Sequence, residues 1–299
     1  MSRLPRPVRR LLAALLSVVL LGAAFLTVLS LRTGQVRPVT PAPGTVRVIT
    51  YNVQAALGGV GRVAEDLRPL NADVIALQEV ERNVARSLRA DQPAELAAAL
   101  GMEYVFVPAI TSAVNGDHGL AVLSRFPLDD VVVTELPQGG GKWPRVALGV
   151  RVRSPEGDFR VVTVHLARPW GWPLHNTRTR LRQLQTVTEA YRDEPLPLLL
   201  CGDFNAFPWS LEALRLQPRF RNAWRPWRDG PSPSWQIATV GWPGAGALKI
   251  DHVFHDEAWE SRGNWSAPPG ASDHRPVIAD LALTRPSAPG DAGTPRPSR

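Results

Sequence analysis

The chain has 299 residues, of which 44% are apolar and 20% charged, and it contains a single cysteine. This composition excludes a disordered chain, and one cysteine excludes a disulfide-stabilised scaffold. The net charge of +7 comes from the two ends, because six arginines precede residue 44 and two follow residue 285, whereas residues 44–285 hold equal numbers of basic and acidic residues. The basic character of the whole chain is therefore only weak evidence for a nucleic-acid partner.

The first segment, residues 1–32, is predicted to be a signal anchor or transmembrane helix. Leu11 to Leu31 include no charged residue, and a helix of that length spans the roughly 30 Å hydrocarbon core of a bilayer. Four arginines precede this run, which favours a single-pass protein of the cell membrane with its domain outside the cytoplasm. The alternative is a signal peptide cleaved near the small residues 22–24, which would make the protein secreted.

The rest of the chain divides by composition into three parts. Residues 33–44 contain three prolines and are predicted to form a stiff, extended linker. Residues 286–299 are polar and proline-rich, which predicts a disordered tail. Between them, residues 45–285 have the length of one α/β catalytic domain, which we expect to be monomeric.

Apolar and β-branched runs predict many strands with a few helices between them. Helices are predicted at Val60–Leu70 and Asn176–Tyr191. Helix-like sequence also follows the strand at 73–78 and runs to Leu100, with a break at Pro93. The turn at residues 155–157 predicts a hairpin. This order indicates stacked sheets covered by helices. The predicted strands are 47–53, 73–78, 103–107, 120–124, 131–135, 146–152, 160–166, 196–202, 250–255 and 276–283.

Acids, amides and histidines stand at the ends of these strands. Taken singly, each is more often structural, as an Asx turn at Asp203 and Asn205 would be. Their joint occurrence favours a catalytic site, because α/β folds hold their sites at strand ends and in the loops that follow. The residues are Asn52, Glu79, His165, Asp203, Asn205, Asp251, Asp273 and His274.

Six short motifs carry these residues: Tyr-Asn-Val, Leu-Gln-Glu, Val-His-Leu, Gly-Asp-Phe-Asn, Ile-Asp-His and Ser-Asp-His-Arg-Pro. In this order they resemble the motifs of the endonuclease/exonuclease/phosphatase superfamily, which includes pancreatic deoxyribonuclease, apurinic/apyrimidinic endonucleases, neutral sphingomyelinases and inositol polyphosphate phosphatases. The resemblance covers residues 45–283. It implies a four-layered α/β sandwich, two mostly antiparallel sheets between helices, and hydrolysis of phosphate esters with Mg²⁺, or alternatively Mn²⁺.

The resemblance also implies a metal site and a base. By similarity, Glu79 is the principal magnesium ligand, with Asn52 nearby and Asp273 bridging to the metal directly or through water. These are the oxygen donors that magnesium prefers. Asp203 is expected to orient and deprotonate the attacking water, and Asn205 to hold a phosphate oxygen.

The two histidines are expected to meet the phosphate. By similarity, the carboxylate of Asp251 keeps His274 protonated, since a nearby negative charge favours the imidazolium. His165 is expected to donate a hydrogen bond to the phosphoryl oxygens. Asp117 is expected to orient His165, and Arg145 to contact phosphate from its strand.

Three functions are compatible with this reading. The first is a metal-dependent phosphodiesterase or endonuclease acting outside the cytoplasmic membrane. The second is a lipid-headgroup phosphodiesterase or phosphatase resembling sphingomyelinases. The third, an inactive membrane-tethered binding module, is disfavoured by the intact acids and histidines. All ten tryptophans lie at Trp143 or later, and such side chains stack on bases or lie at lipid interfaces, so the sequence leaves nucleic acid and phospholipid headgroup open as substrates.

Overall fold

The computed structural model describes residues 5–32, 40–41, 43–112, 115–139, 143–169, 176–236 and 247–284. The predicted linker lies largely outside these residues and the predicted tail entirely outside them, so the domain boundaries stay predictions. Helix α1 spans Arg6–Arg32. Among the helices of the described segments, none is both long enough and apolar enough to cross a membrane.

The body of the protein begins at residue 45 and is built mainly from strands. The helices that follow α1 are α2 (Val60–Leu67), α3 (Gln92–Leu100), α4 (Thr177–Ala190), α5 (Leu211–Leu216) and α6 (Pro226–Asp229). The strands are β1 (Thr45–Asn52), β2 (Val74–Arg82), β3 (Glu103–Ser112), β4 (Gly116–Ser124), β5 (Leu128–Leu136), β6 (Arg145–Ser154), β7 (Gly157–His165), β8 (Leu198–Asp203), β9 (Arg221–Asn222), β10 (Trp235–Gln236), β11 (Ala247–Leu248), β12 (Asp251–His255), β13 (Trp259–Ser266) and β14 (Val277–Leu283).

The strands form two six-stranded sheets, and β10 pairs with β11 in a short ribbon. The first sheet has the order β13-β14-β1-β2-β4-β3, and the second has the order β5-β6-β7-β8-β12-β9. Both sheets are mixed, because β1 runs parallel to β2 and β7 runs parallel to β8, whereas the other neighbours run antiparallel. A parallel pair needs a crossover connection, and α2 and α4 lie in the two crossovers.

Alternation along the strands separates an inner face from an outer face. In β1, Val46 and Val48 belong to the apolar cluster between the sheets, whereas Ile49 and Tyr51 pack with α2 and α3 on the outer side. Helices α4 and α5 cover the second sheet through a cluster that includes Leu184. The predicted arrangement of stacked sheets flanked by helices is thereby confirmed.

Strand β13 is not among the strands predicted from the sequence. Its pairing with β14 shifts register between Ser261 and Gly263, which marks a bulge. An extra residue at a bulge interrupts the alternation of apolar and polar side chains, so the period that predicts a strand is lost. The strand predicted at 103–107 also continues to Ser112 as β3, at the edge of the first sheet.

The sheet topology brings the strand ends to one edge of the sandwich. Asn52 lies beside Gln78 because β1 and β2 are parallel and in register. Across β7, β8 and β12 one row of the second sheet holds His165, Asp203 and Asp251. The facing ends of the two sheets therefore present their polar side chains to each other.

Buried Gln78 connects the two sheets beside this edge. Its Nε2 donates to Thr50 Oγ1 at 3.0 Å within the first sheet and to Thr163 Oγ1 at 3.0 Å in the second. A buried amide whose hydrogen bonds are satisfied fixes the relative position of the groups that it joins. This connection holds the ends of β1, β2 and β7 in one arrangement.

Candidate active site

The carboxylate of Asp203, at the end of β8, is hydrogen-bonded on both oxygens. Its Oδ1 accepts the backbone N–H of Asn205 at 2.8 Å, which forms the Asx turn, and Asn205 adopts a left-handed backbone with φ 49°. Its Oδ2 accepts Nδ2 of Asn52 at 3.1 Å, and the same Nδ2 donates to Glu79 Oε1 at 3.1 Å. One amide of the first sheet thus holds two carboxylates together.

Two imidazoles face Asp203. Nε2 of His165 lies 3.4 Å from Asp203 Oδ2, and Nε2 of His274 lies 3.9 Å from the same oxygen. Burial raises the pKa of Asp203, and the carboxylate of Asp251, its neighbour in the sheet, raises it further. A carboxylate with a raised pKa is a stronger proton acceptor than an exposed one, which is what a general base requires.

His274 is held as an imidazolium by Asp251. Its Nδ1 lies 2.8 Å from Asp251 Oδ2, and both side chains are buried. Burial lowers the pKa of His274, but the charge and hydrogen bond of Asp251 outweigh burial and raise that pKa to about 10. At neutral pH the ring carries a positive charge, and its Nε2–H points toward Asp203 and the cleft.

His165 is held in the opposite state by Arg145. A guanidinium N–H of Arg145 lies 3.0 Å from His165 Nδ1, and because guanidinium can only donate, Nδ1 accepts and Nε2 carries the proton. Burial and the positive charge of Arg145 hold the pKa of His165 well below its usual range. His165 is therefore a neutral donor, with its Nε2 3.9 Å from Glu79 Oε1.

The expectation that Asp117 orients His165 is not met. Asp117 Oδ2 accepts two hydrogen bonds from Arg82, at 2.7 Å and 3.0 Å, because the two residues are opposite each other on β4 and β2. Arg145, which we expected to contact phosphate, bonds His165 and also lines a cleft. Arg145 can reach His165 because β6, which begins at Arg145, pairs with β7, which ends at His165.

Substitution of Arg145 by methionine is expected to lower kcat about 10–100-fold, by analogy with the loss of a partner that orients a metal-ligating histidine. Methionine fills similar space but donates no hydrogen bond, so His165 loses the contact that fixes its tautomer. Asp117→Asn is the matched comparison and should keep near-normal kcat, because Asp117 bonds Arg82 instead. Steady-state kinetics of both variants measures this, and equal losses in the two would contradict the assignment.

Glu79 and Asp273 bring two more carboxylates to the same place. Glu79 lies at a register shift of β2 between Gln78 and Val80, and its backbone has φ 58°. Such strain at a bulge re-aims a side chain and is common beside functional sites. Asp273 precedes β14, and its Oδ2 accepts the indole N–H of Trp235 at 3.3 Å.

These groups open onto one cleft of about 620 Å³ at the edge of the sandwich. The structure thus brings the predicted strand-end residues together from both sheets; Asn52 and Asp251 lie behind the others, bonded to them. The site residues that line the cleft are Glu79, His165, Asp203, Asn205, Asp273 and His274.

Residues 49–274 match the family described as Endonuclease/Exonuclease/phosphatase family. The chain belongs to this family. Members of the endonuclease/exonuclease/phosphatase family are hydrolases that act on phosphate esters, and they generally use a divalent metal ion.

Mammalian nocturnins are similar to this chain. Human nocturnin is 23% identical over 300 residues, which cover 83% of this chain and 68% of nocturnin. Rat nocturnin is 26% identical over 196 residues, which cover 54% of this chain and 44% of the relative. The alignment with the rat protein thus spans less than half of its length.

Solved structures of the endonuclease/exonuclease/phosphatase family share the fold. A family member from Beutenbergia cavernae superposes with a TM-score of 0.65 at 26% identity, over 80% of this chain and 72% of that one. The human nocturnin catalytic domain with bound sulfate gives 0.60 at 22% identity, over 81% and 94%. A mannosyl-6-phosphatase from Bacteroides thetaiotaomicron gives 0.62 at 16% identity, over 80% and 100%. The last two likenesses show the fold alone.

The charge balance of this site fits a divalent cation. The carboxylates of Glu79, Asp203, Asp251 and Asp273 outnumber the two cationic groups that are hydrogen-bonded into the cluster, Arg145 and His274. Carboxylate and amide oxygens are the ligands that magnesium-like ions prefer, and Glu79 and Asp273 present such oxygens to the cleft.

Asp203, Asp251 and His274 form a second group of residues that could ligate a metal ion. Ligand atoms of Asp203, Asp251 and His274 lie within 4.8 Å of one another in the described part of the chain. However, Nδ1 of His274 is bonded to Asp251 at 2.8 Å, so this nitrogen is not available to a metal. Glu79 and Asp273 are the carboxylates of the cleft that could hold a metal ion without giving up this bond.

Three supporting residues had no role assigned from the sequence. Ser272 Oγ donates to the carbonyl of Asn52 at 2.7 Å and accepts the backbone N–H of His274 at 3.1 Å, which links β1 to the last motif. Ser234 Oγ accepts the backbone N–H of Asp251 at 2.9 Å. Trp235 holds Asp273 through its indole N–H. Ser272 stands inside a quoted motif, and Ser234 and Trp235 stand together shortly before the Asp251 motif, but the sequence does not predict the hydrogen bonds that these side chains make.

Proposed function

We propose that this protein is a divalent-metal-dependent phosphodiesterase. The observation that carries the proposal is the position of Asp203 between a protonated and a neutral histidine, beside the carboxylates of Glu79 and Asp273. A phosphodiester is anionic, so its attack by water needs a proton acceptor for the water and positive charge or donors for the phosphoryl oxygens. This site supplies both.

Each side chain has a task that its geometry supports. Asp203 accepts the proton of the attacking water, and its raised pKa makes it a suitable base. His274 and His165 donate from Nε2 to the phosphoryl oxygens, where negative charge develops. Nδ2 of Asn205 donates one hydrogen to the carbonyl of Leu166 at 3.1 Å, and its second hydrogen remains for a phosphate oxygen.

The metal belongs to the same proposal. Glu79 and Asp273 would hold Mg²⁺, or alternatively Mn²⁺, and Asn52 positions the Glu79 carboxylate. The bound ion would neutralise negative charge on the ester and on the leaving oxygen.

We expect the purified full-length protein to hydrolyse bis(p-nitrophenyl) phosphate in the presence of Mg²⁺. A chelator should abolish turnover, and excess Mg²⁺ or Mn²⁺ should restore it, because the carboxylates of the cleft need a counter-charge. Release of p-nitrophenolate measures this. Turnover that persists in chelator would contradict the metal proposal, and absence of turnover with either ion would contradict the phosphodiesterase proposal.

The proposal has two forms, which differ in the natural substrate: a nucleic acid or a phospholipid headgroup. An endonuclease is expected to cut plasmid DNA or RNA with steep salt dependence. A lipid-headgroup phosphodiesterase or phosphatase would instead act on phospholipid vesicles, and exposed aromatic side chains at and beside the cleft are compatible with both forms. Phe207 and Trp209 are stacked with ring centroids 6.2 Å apart, and they are 41% and 71% exposed. Parallel assays on DNA, RNA, phosphomonoesters and vesicles decide between them.

The location outside the cytoplasm also stays a proposal. It is supported by the uncharged run at Leu11–Leu31 and the four arginines before it. Fractionation of cells that express the full chain, with protease added from outside, tests membrane association and orientation together. A protein recovered in the cytoplasmic fraction would contradict this proposal.

A further inference from the structure

The reacting centre lies where two clefts meet. The first cleft, of about 620 Å³, contains Asp203 and Asp273. The second, of about 560 Å³, lies beyond His165. Both are lined by Glu79, His165 and Arg168. A phosphate ester seated at this junction has one substituent directed into each cleft.

The first cleft offers an apolar wall. Phe207, Leu248 and Ile250 line it next to the site. Apart from the site residues and Arg168, which both clefts share, its charged side chains are Arg180 and Glu212, which are buried and bonded to each other at 2.7 Å. This ion pair leaves little free charge for a substrate, so the first cleft suits an apolar or aromatic group.

The second cleft is lined by three arginines. Arg86 forms an ion pair with Glu81, to which its Nε donates at 2.8 Å, so its charge is balanced. Arg145 bonds a neutral imidazole, and exposed Arg168 makes no ion pair with any described residue. Burial lowers the pKa of Arg145, the carboxylates of Asp203 and Glu79 oppose that lowering, and the positive charge of Arg168 adds to it. Both guanidinium groups line the second cleft, where an anion between them would accept hydrogen bonds from both.

We propose that the second cleft binds a second anionic group of the substrate, held by Arg168 and Arg145, while the first cleft takes an apolar or aromatic group. The inference rests on the proposed phosphodiesterase function and narrows it. The substrate class is a small, asymmetric phosphodiester with a further phosphate on one side of the scissile linkage. A polynucleotide carries phosphate on both sides of the scissile linkage, and among the described residues the first cleft adds no unpaired cation to Arg168, which it shares with the second cleft.

Two chromogenic esters that differ by one phosphate test this inference. They are the p-nitrophenyl ester of thymidine 5′-phosphate and the same ester with an added 3′-phosphate. The full-length protein with Mg²⁺ is expected to show a KM about 10-fold lower for the second ester, because the added phosphate gains a charge-assisted contact with Arg168. In Arg168→Ala the ratio of the two KM values should fall to about 1, and Arg168→Lys should retain part of it.

Arg192→Ala is the matched control. Arg192 is an exposed arginine that follows α4 and lines neither cleft, so its removal should leave the ratio near 10. Two results would overturn this inference: equal KM values for the two esters in the unmodified protein, or an unchanged KM ratio in Arg168→Ala. Either result would leave the phosphodiesterase proposal standing. If neither ester is hydrolysed with Mg²⁺ or Mn²⁺, the phosphodiesterase proposal fails, and this inference fails with it.

Discussion

Asp203→Asn is expected to lower kcat by a factor of about 10²–10⁴, the usual contribution of a positioned general base. Asparagine keeps the shape of the side chain and the bond to the Asn205 N–H, but it accepts no proton. The two imidazole donors and the metal carboxylates remain in place, so KM should change much less than kcat. Initial-rate kinetics on bis(p-nitrophenyl) phosphate with Mg²⁺ measures both constants.

The control for this substitution is a carboxylate of the same sheet outside the cleft. Asp129 on β5 pairs with Arg151 and Arg153 at the surface, and Asp129→Asn should retain near-normal kcat. Thermal unfolding of both variants in chelator shows whether either has lost its fold. Near-normal turnover in a folded Asp203→Asn protein would exclude Asp203 as the base.

Asp251→Asn is expected to lower both activity and stability, the latter in a pH-dependent manner. The pKa of His274 is raised from 6.5 to about 10, chiefly by Asp251 against the opposing effect of burial. A group whose pKa is raised by folding stabilises the folded state fully below its unfolded pKa, and it loses that contribution as pH rises through the folded pKa. The destabilisation by Asp251→Asn should therefore be largest near pH 6 and shrink toward pH 10.

Urea unfolding of both proteins at pH 6, 8 and 10, in chelator, measures the difference in the free energy of unfolding. At pH 8 the variant should also lose about 10²–10³ in kcat, because a neutral His274 stabilises the developing charge less than an imidazolium does. Asp256→Asn provides a control, since the carboxylate of Asp256 bonds backbone N–H groups of Leu198 and Ala258 away from the cleft. A destabilisation by Asp251→Asn that stays constant across this pH range would argue against the charged pair.

Local sequence was sufficient to predict most strands and the residues at their ends. The run before Asn52 forms β1, and the run before Asp203 forms β8, because β-branched and apolar residues in short runs favour buried strands wherever they lie in a fold. The bulge in β13 shows the limit of this reasoning, since one extra residue removes the alternation on which it depends.

Side-chain partners were decided by the tertiary structure alone. Asn52 and Asp203 are 151 positions apart and meet because the two sheets stack with their strand ends at one edge. In the same way, strand register pairs Asp117 with Arg82 and leaves His165 to Arg145. Register is set by turns and by packing of the whole sheet, and no short motif contains it.

The sequence by itself determined the chemistry that this chain can perform: six motifs at strand ends supply the acids, amides and histidines of a phosphate-ester hydrolase. The tertiary structure decided the charge state of each histidine and the two-sided shape of the cleft. The physical reason is that the pKa of a buried imidazole depends on the charged group packed against it. That group is Asp251 for His274 and Arg145 for His165. These partners come from strands that only the folded sandwich brings together.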